Sequence, residues 1–428
     1  MEIKKTEDFI AVTWASNSNI YEVNLRQYTK EGTFRAFATH LPRLRNMGVE
    51  ILWFMPVTPI SRLERLGSLG SYYACSDYQS TNPEFGTLED FQMLVKTAQD
   101  MGFKVLIDWV ANHTGWDHVW TKEHPEFYRK NLEGQFYDPH GWRDVIDLNY
   151  DVPELRSAMI QAMKFWVNTC HIDGFRCDMA MLVPLDFWRE ARTELDQIKP
   201  LFWLAECEDI PYHEVFDITY TWKWLHTMES YWRHAAGIHA LYDTLGFYKT
   251  QFPPNAKRAY FTSNHDENSH SGSEYERMGE AAIPFAVFCC LYDGLPLIYS
   301  GQELPNKKRL LFFDKDQIDW TEPAQLHGFY RTLLNLRKTN MALRAGNEKN
   351  APQFLSNTAT DKVLSFIRKY EADEVLVVLN LSHEQLSVEI TSGHLSEYYN
   401  ELFNPGNPPF VSGSPIMLSP WSYKVYIR

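Results

Sequence analysis

Four apolar stretches, at residues 105–113, 172–178, 201–206 and 259–266, each run into acids, amides or histidines, and helical sequence follows each one. The second contains Phe175 and Cys177 alternating with Arg176 and Asp178, so the two-residue period of a strand puts both charged side chains on one face. An Arg two residues before an Asp on such a face can hold the carboxylate ionised and in one rotamer. Taken alone, the pair fits a structural ion pair as well as it fits catalysis. The other three stretches carry matching chemistry. Asp108, Asn112 and His113 close the first, Glu206 the third, and His265 and Asp266 the fourth. Apolar strands that each lead into a helix and present polar groups at their ends predict an α/β fold. The expected architecture is a (β/α)₈ TIM barrel with one site at its C-terminal face.

The remaining segments fill in that barrel. Residues 20–25 alternate as its first strand. Thr33 caps a helix running to about Met47 with Gly48 as its stop, and 49–55 form the second strand. The Gly- and Ser-rich loop 58–82 is long enough to expect function from it. A helix at 87–101 precedes the third strand, 103–108. Regularity is then lost from 114 to 148, where Trp116, Trp120, Tyr128, Tyr137 and Trp142 cluster. Pro153 opens an amphipathic helix to Cys170. Further strands are expected at 201–205, 215–219, 258–263 and 296–300, and helices at 184–195, 238–250, 275–292 and 321–339. Pro284 should kink the third of these helices. Trp222 and Trp224 follow the sixth strand and are candidates for lining a cleft. Beyond Arg344 the period changes to two, with strands expected at 363–367, 374–379, 386–390 and 423–427. The division is a barrel from 1–113 and 149–344, an insertion at 114–148, and a C-terminal antiparallel β domain at 345–428.

Five motifs in this order resemble the α-amylase family of glycoside hydrolases. They are Asp-Trp-Val-Ala-Asn-His at 108–113, Asp-Leu-Asn at 147–149, Gly-Phe-Arg-Cys-Asp at 174–178, Glu206 after its strand, and Asn-His-Asp at 264–266. The likeness runs from about Tyr21 to the C-terminus. It implies that the stretch 114–148 is a short domain B inserted after the third strand. It implies Asp178 as nucleophile, Glu206 as general acid/base and Asp266 as a third carboxylate gripping sugar hydroxyls. Retention then proceeds through a covalent glycosyl-enzyme, with the two principal carboxylates roughly 5–5.5 Å apart. Arg176 is expected to keep Asp178 anionic, and the apolar strand before Glu206 to keep that group protonated. Tyr73, four residues before Asp77, matches the family's stacking platform under the sugar, and His113 and His265 match contacts to the same sugar. The family often binds Ca²⁺ beside domain B. Asn112 and Asp147 occupy the matching positions and offer hard oxygen ligands, though they fit a hydrogen-bonded loop pair equally well. No organic cofactor is implied.

The sequence departs from the family where a polar residue commonly lies four positions beyond the nucleophile; here that position is Leu182. This leaves open the balance between hydrolysis and transfer. The expected function is α-1,4-glucan or maltooligosaccharide cleavage. The alternatives are a glucanotransferase or exo-acting α-glucosidase on the same scaffold, or a non-catalytic binding subunit, which would have no need of three carboxylates. A net charge of −14 without a basic run argues against a nucleic-acid partner. No apolar run approaches the ~18 residues of a membrane span. Residues 1–5 show no apolar leader, and the six cysteines lack CxxC spacing, so they are expected as buried thiols in a cytoplasmic, reducing setting.

Overall fold

The computed structural model describes residue 9 and residues 11–428, so the reading of residues 1–5 lies outside the described residues. Ten strands precede the C-terminal region: β1 (Ile20–Val23), β2 (Ile51–Phe54), β3 (Lys104–Trp109), β4 (His113–Gly115), β5 (Val145–Asp147), β6 (Gly174–Cys177), β7 (Phe202–Ala205), β8 (Ile218–Tyr220), β9 (Lys257–Tyr260) and β10 (Leu295–Tyr299). Eight of them close into a parallel barrel in the order β1-β10-β9-β8-β7-β6-β3-β2. The remaining two, β4 and β5, pair antiparallel at the base of the insertion after β3. Barrel strands are apolar because both faces are covered, and nearly every residue in them is buried. Polar residues inside them are therefore conspicuous. Glu22, Asp108 and Arg176 are buried in the barrel, with Asp108 directly beside Arg176 in the β3–β6 register.

Local chemistry sets the helix ends. Thr87 caps the helix Leu88–Asp100 through a reciprocal box with Asp90, satisfying two otherwise orphaned N–H groups. Pro153 opens Pro153–Cys170, where its missing N–H is harmless. Two expected helices prove to be divided. The stretch 33–47 forms Phe34–Ala38 and Leu41–Met47, because the chain breaks at Thr39-His40 and Pro42 starts a new first turn. The stretch 275–292 breaks at Gly279, not at Pro284. Gly279 has φ +50° and lies against Trp232, where a Cβ would fall 2.0 Å from the ring; Pro284 sits harmlessly in the first turn of Ala282–Leu291. The sixth barrel strand is Ile218–Tyr220 rather than 215–219, since a 3₁₀ turn at Ile210–Glu214 occupies the chain before it. The last barrel helix begins at His327. Trp224 does not reach the cleft; it is fully buried against Phe288, with ring centroids 4.3 Å apart.

The C-terminal region adds β11 (Gln353–Phe354), β12 (Val363–Tyr370), β13 (Asp373–Asn380), β14 (Leu386–Val388), β15 (Tyr398–Glu401), β16 (Phe410–Val411), β17 (Ile416–Leu418) and β18 (Tyr423–Ile427). Six form an antiparallel sheet, β11-β12-β13-β18-β15-β16, and β14 pairs with β17. Phe366 on β12 seats this sheet against Phe288 and Tyr292 of the barrel. The six cysteines are buried free thiols. No helix among the described residues is long and apolar enough to cross a membrane.

Candidate active site

The C-terminal ends of β3, β6 and β7 converge on one guanidinium. Arg176, with no solvent exposure, donates through Nη1 to Asp108 Oδ1 at 2.9 Å and to Asp178 Oδ1 at 3.0 Å. Its Nη2 lies 2.8 Å from Glu206 Oε2, an ion pair too poorly aligned to be a hydrogen bond. Rings of Trp53, Tyr220 and Tyr73 surround the cation at 4.8, 5.6 and 5.9 Å. The backbone fixes both carboxylates as well. Asp178 N donates to Trp109 O, and Glu206 N to Cys177 O, each at 3.0 Å, extending the barrel ladder by one residue past β6 and β7. Met179 then turns into the left-handed region at φ +39°, and its N–H donates to Glu206 Oε2 at 3.0 Å. A non-glycine residue there is strained, and such strain gathers where a site over-determines the backbone.

One positive charge serving three buried carboxylates does not hold them all ionised. Burial pushes Asp178 up to about 6 and Glu206 up to about 7; Arg176 opposes this, while neighbouring carboxylates add to it. Burial likewise pushes Asp108 up to about 6. Arg176 is expected from the sequence to keep Asp178 anionic; it does favour the ionised form, but shared among three carboxylates it does not offset burial fully. Of the three, Glu206 is raised to the highest value, by burial and against the pull of Arg176 and the Met179 N–H.

Asp178 and Glu206 line a cleft of about 610 Å³ together with Asp266, Tyr73, His113 and Met179. Asp266 lies just beyond β9 and is two-fifths exposed, with Oδ2 3.4 Å from His265 Nε2. The Tyr73 ring stacks on His265 at 5.2 Å and on Phe312 at 6.2 Å, and its hydroxyl lies 2.7 Å from His265 Nε2 and 3.0 Å from Asp108 Oδ2. All the residues singled out from the sequence as catalytic or sugar-binding thus meet at this face. His113 is neutral, since burial and His140 pull its pKa down to about 3. Asp147 can only accept, so the Asn112 amide nitrogen must face it, at 3.2 Å; the same nitrogen donates to His113 Nδ1 at 3.3 Å. The proton of His113 consequently sits on Nε2.

Other contributors were not singled out from the sequence. Trp142, from the insertion, packs 5.3 Å from His113, and Phe312 and Phe313, from the loop after β10, complete the aromatic wall. Glu22 on β1 accepts from His265 Nδ1 at 2.5 Å. A carboxylate inside an apolar strand was the available signal for Glu22 and Asp108. The loop aromatics gave none beyond composition. At the insertion, Asp138, His140 and Asp147 bring ligand atoms together, with His140 Nε2 3.7 Å from Asp147 Oδ2. Asp138 Oδ1 is sealed from water without a partner, and burial followed by Asp138 raises Asp147 to about 6.

Comparison with known proteins agrees with this layout. The model for the α-amylase catalytic domain matches residues 13–144 and 127–320, and that for the C-terminal domain of the α-amylase SusG matches 363–423. The α-amylase MalA of Haloarcula japonica is 28% identical over 403 residues; the match covers 90% of this chain but 58% of that protein. Among solved structures, a noncanonic maltogenic α-amylase, AmyB from Thermotoga neapolitana, superposes with a TM-score of 0.88 at 29% identity, covering 96% of this chain and 98% of that one. An α-amylase from Lactobacillus plantarum gives 0.87 at 28%, covering 96% and 99%.

Proposed function

Since the chain belongs to the α-amylase family of glycoside hydrolases, we propose that it cleaves α-1,4-glucosidic bonds in starch-like glucans or maltooligosaccharides with retention of configuration. The observation that carries this reading is the pairing of Asp178 and Glu206 on one guanidinium at the floor of a cleft that Asp266 also lines. A shared anchor favours the short separation of retaining enzymes, roughly 5–5.5 Å, over the roughly 6.5–9.5 Å that leaves room for an attacking water. Asp178, largely ionised above about pH 6, attacks the anomeric carbon. Glu206, half protonated near pH 7, gives its proton to the leaving oxygen and then takes one from the incoming water. Asp266 binds sugar hydroxyls, Tyr73 and Phe312 offer flat apolar faces, and His113 donates Nε2–H.

A labelled maltoheptaose tests the reading: shorter products released first as the α-anomer support it. Longer products would make the chain a transferase, and no turnover would leave only a binding role. The residues at the insertion fit a Ca²⁺ ion. Asp147 is buried, Asp138 carries an orphaned oxygen, and Asn112 lies beside them, where turning its amide would bring its oxygen to the ion. Bound there, the ion would supply charge neutralisation that ties the Trp142 loop to the barrel, taking no part in bond cleavage. Chelation should lower the melting temperature and added Ca²⁺ restore it; an unchanged curve removes the metal from the reading. The six buried free thiols are what supports a cytoplasmic setting.

A further inference from the structure

We propose that Glu22 is a positioning residue of this cleft: it holds His265 as an imidazolium, which in turn aims the Tyr73 hydroxyl at Asp108. The proposal deepens the glycosidase reading and rests on it.

Glu22 has no solvent exposure, and its only ion-pair partner among the described residues is His265. Its Oε1 accepts hydrogen bonds from the His265 side-chain Nδ1–H at 2.5 Å and from the His265 backbone N–H at 3.3 Å, while Oε2 is sealed without a partner. A carboxylate so placed is best matched by a compensating positive charge, since an unpaired charge in a low-dielectric interior is costly. The imidazolium supplies that charge.

Counting donors and acceptors leads to the same protonation state. A tyrosine hydroxyl has one proton to give, and Tyr73 faces both His265 Nε2 and Asp108 Oδ2. With a neutral His265 protonated on Nδ1, Nε2 becomes an acceptor. The hydroxyl then turns to it, and Asp108 Oδ2 keeps only the Trp53 indole N–H at 3.1 Å. With both ring nitrogens protonated, each donor finds an acceptor: Nδ1–H to Glu22, Nε2–H to the Tyr73 oxygen, and the Tyr73 O–H to Asp108. Asp108 then shares Arg176 with Asp178. A directed chain runs from β1, across the barrel mouth, to the group that attacks the sugar. The imidazolium also sits 3.4 Å from Asp266 Oδ2, steadying the third carboxylate.

The groups facing His265 are Glu22 from β1, Tyr73 from the loop after β2, Asp108 from β3, Arg176 from β6, and its neighbour Asp266, which His270 also approaches. Burial pulls the imidazolium pKa down and Arg176 adds to this, but Asp266 and Glu22 outweigh them and bring it up to about 9. The proton therefore stays through the neutral range and is lost only in alkali.

Glu22→Gln keeps the shape and the accepting oxygen while removing the charge. The substrate for the test is an α-maltosyl fluoride, whose leaving group needs no acid, so titration of Glu206 does not mask the alkaline limb. Wild-type kcat/KM should hold to about pH 9. The variant's alkaline limb should move about one unit lower, so that at about pH 9 it has lost roughly tenfold against its own value at about pH 6.5, where the wild type has lost only about twofold. A uniform loss at every pH, or superimposed profiles, would overturn the proposal. Wild-type ¹⁵N NMR, with the His265 signals identified by their absence from His265→Gln, needs no folded Glu22 variant. It should show both ring nitrogens protonated at about pH 7.5, and a neutral His265 there overturns the proposal. A wild type that cleaves neither glucan nor fluoride sinks the glycosidase reading instead, and the NMR still decides the state of the Glu22–His265 pair.

Discussion

Arg176 and Arg368 are both completely buried and do opposite work. Arg368, on β12, donates to the carbonyl oxygens of Asn350, Tyr292 and Arg344 at 3.0, 3.0 and 2.8 Å, with one carboxylate, Asp293, at 3.4 Å. Its partners are mostly neutral and its charge meets one counter-charge, so the guanidinium is a staple between the barrel and the C-terminal sheet. Arg176 meets three carboxylates and almost no neutral acceptor. Burial, to which that excess of negative charge adds, moves the proton affinities of Asp178 and Glu206 toward the neutral range. A buried arginine is therefore no mark of a site. The ratio of acids to cations around it is.

The comparison breaks first at the carboxylates themselves. Glu206→Gln should cut maltooligosaccharide turnover by about 10²–10⁴-fold, the usual worth of a general acid/base. It should still react once with a glycosyl fluoride and stall as a covalent adduct. Asp178→Asn should lose both activities, since no intermediate can form. Intact-mass spectrometry of Glu206→Gln with the fluoride reads the result. An adduct mapping away from Asp178, or wild-type fluoride turnover by Asp178→Asn, would overturn the assignment.

The next largest effect separates the two arginines. Arg368→Met strands several buried carbonyls and Asp293, and should destabilise the fold by about 3–5 kcal/mol. The folded enzyme should keep its kcat. Arg176→Met should instead abolish turnover, whatever happens to the melting temperature. If both variants lose activity to the same degree once folded, the distinction between staple and site fails. Tyr73 gives a smaller effect. Tyr73→Ala removes a stacked ring and should lower kcat/KM by roughly 1–3 kcal/mol. Tyr73→Phe keeps the ring and should lose less, so an Ala variant as active as wild type would make Tyr73 only a loop residue.

The strand-end carboxylates were legible because a strand has a fixed period and a barrel has a fixed catalytic end. Asp178, Glu206 and Asp266 each stand one or a few residues past an apolar run, so one-dimensional spacing locates them. The sharing of Arg176 was not legible. Arg176 and Asp178 are two residues apart, but Asp108 and Glu206 come from other strands, and the balance of charge depends on how the barrel closes. Glu22 was missed for a related reason: an acid in a short alternating strand reads as solvent-facing until the barrel buries both its faces. Helix breaks at Thr39-His40 and Gly279 escaped because each depends on a tertiary neighbour or a local cap, not on the apolar period. Phe312 and Trp142 reach the cleft from irregular loops, where no period exists to place them.

The smallest expected effect concerns stability and carries the sign of the charge imbalance. Asp178 has a folded-state pKa of about 6 against an ordinary 3.8. The folded protein therefore holds this proton more tightly than the unfolded chain does. The associated stability is complete below about pH 4 and is lost as pH rises through about 6, leaving ionised Asp178 as a burden on the fold in neutral and alkaline solution. Asp178→Asn removes the charge and keeps the shape. It should be more stable than wild type at pH 8 by roughly 1–3 kcal/mol, with the gain shrinking to nothing near pH 4. Melting temperatures of both proteins across that range decide the matter. Arg368→Met provides the contrast, because its partners are carbonyl oxygens, which do not titrate, apart from the more distant Asp293, so its loss of stability should vary less with pH over the same range. A constant Asp178→Asn gain, or a loss at pH 8, would mean that Arg176 compensates its three carboxylates fully. Arg176 and Arg368 would then differ in their partners but not in their energetics.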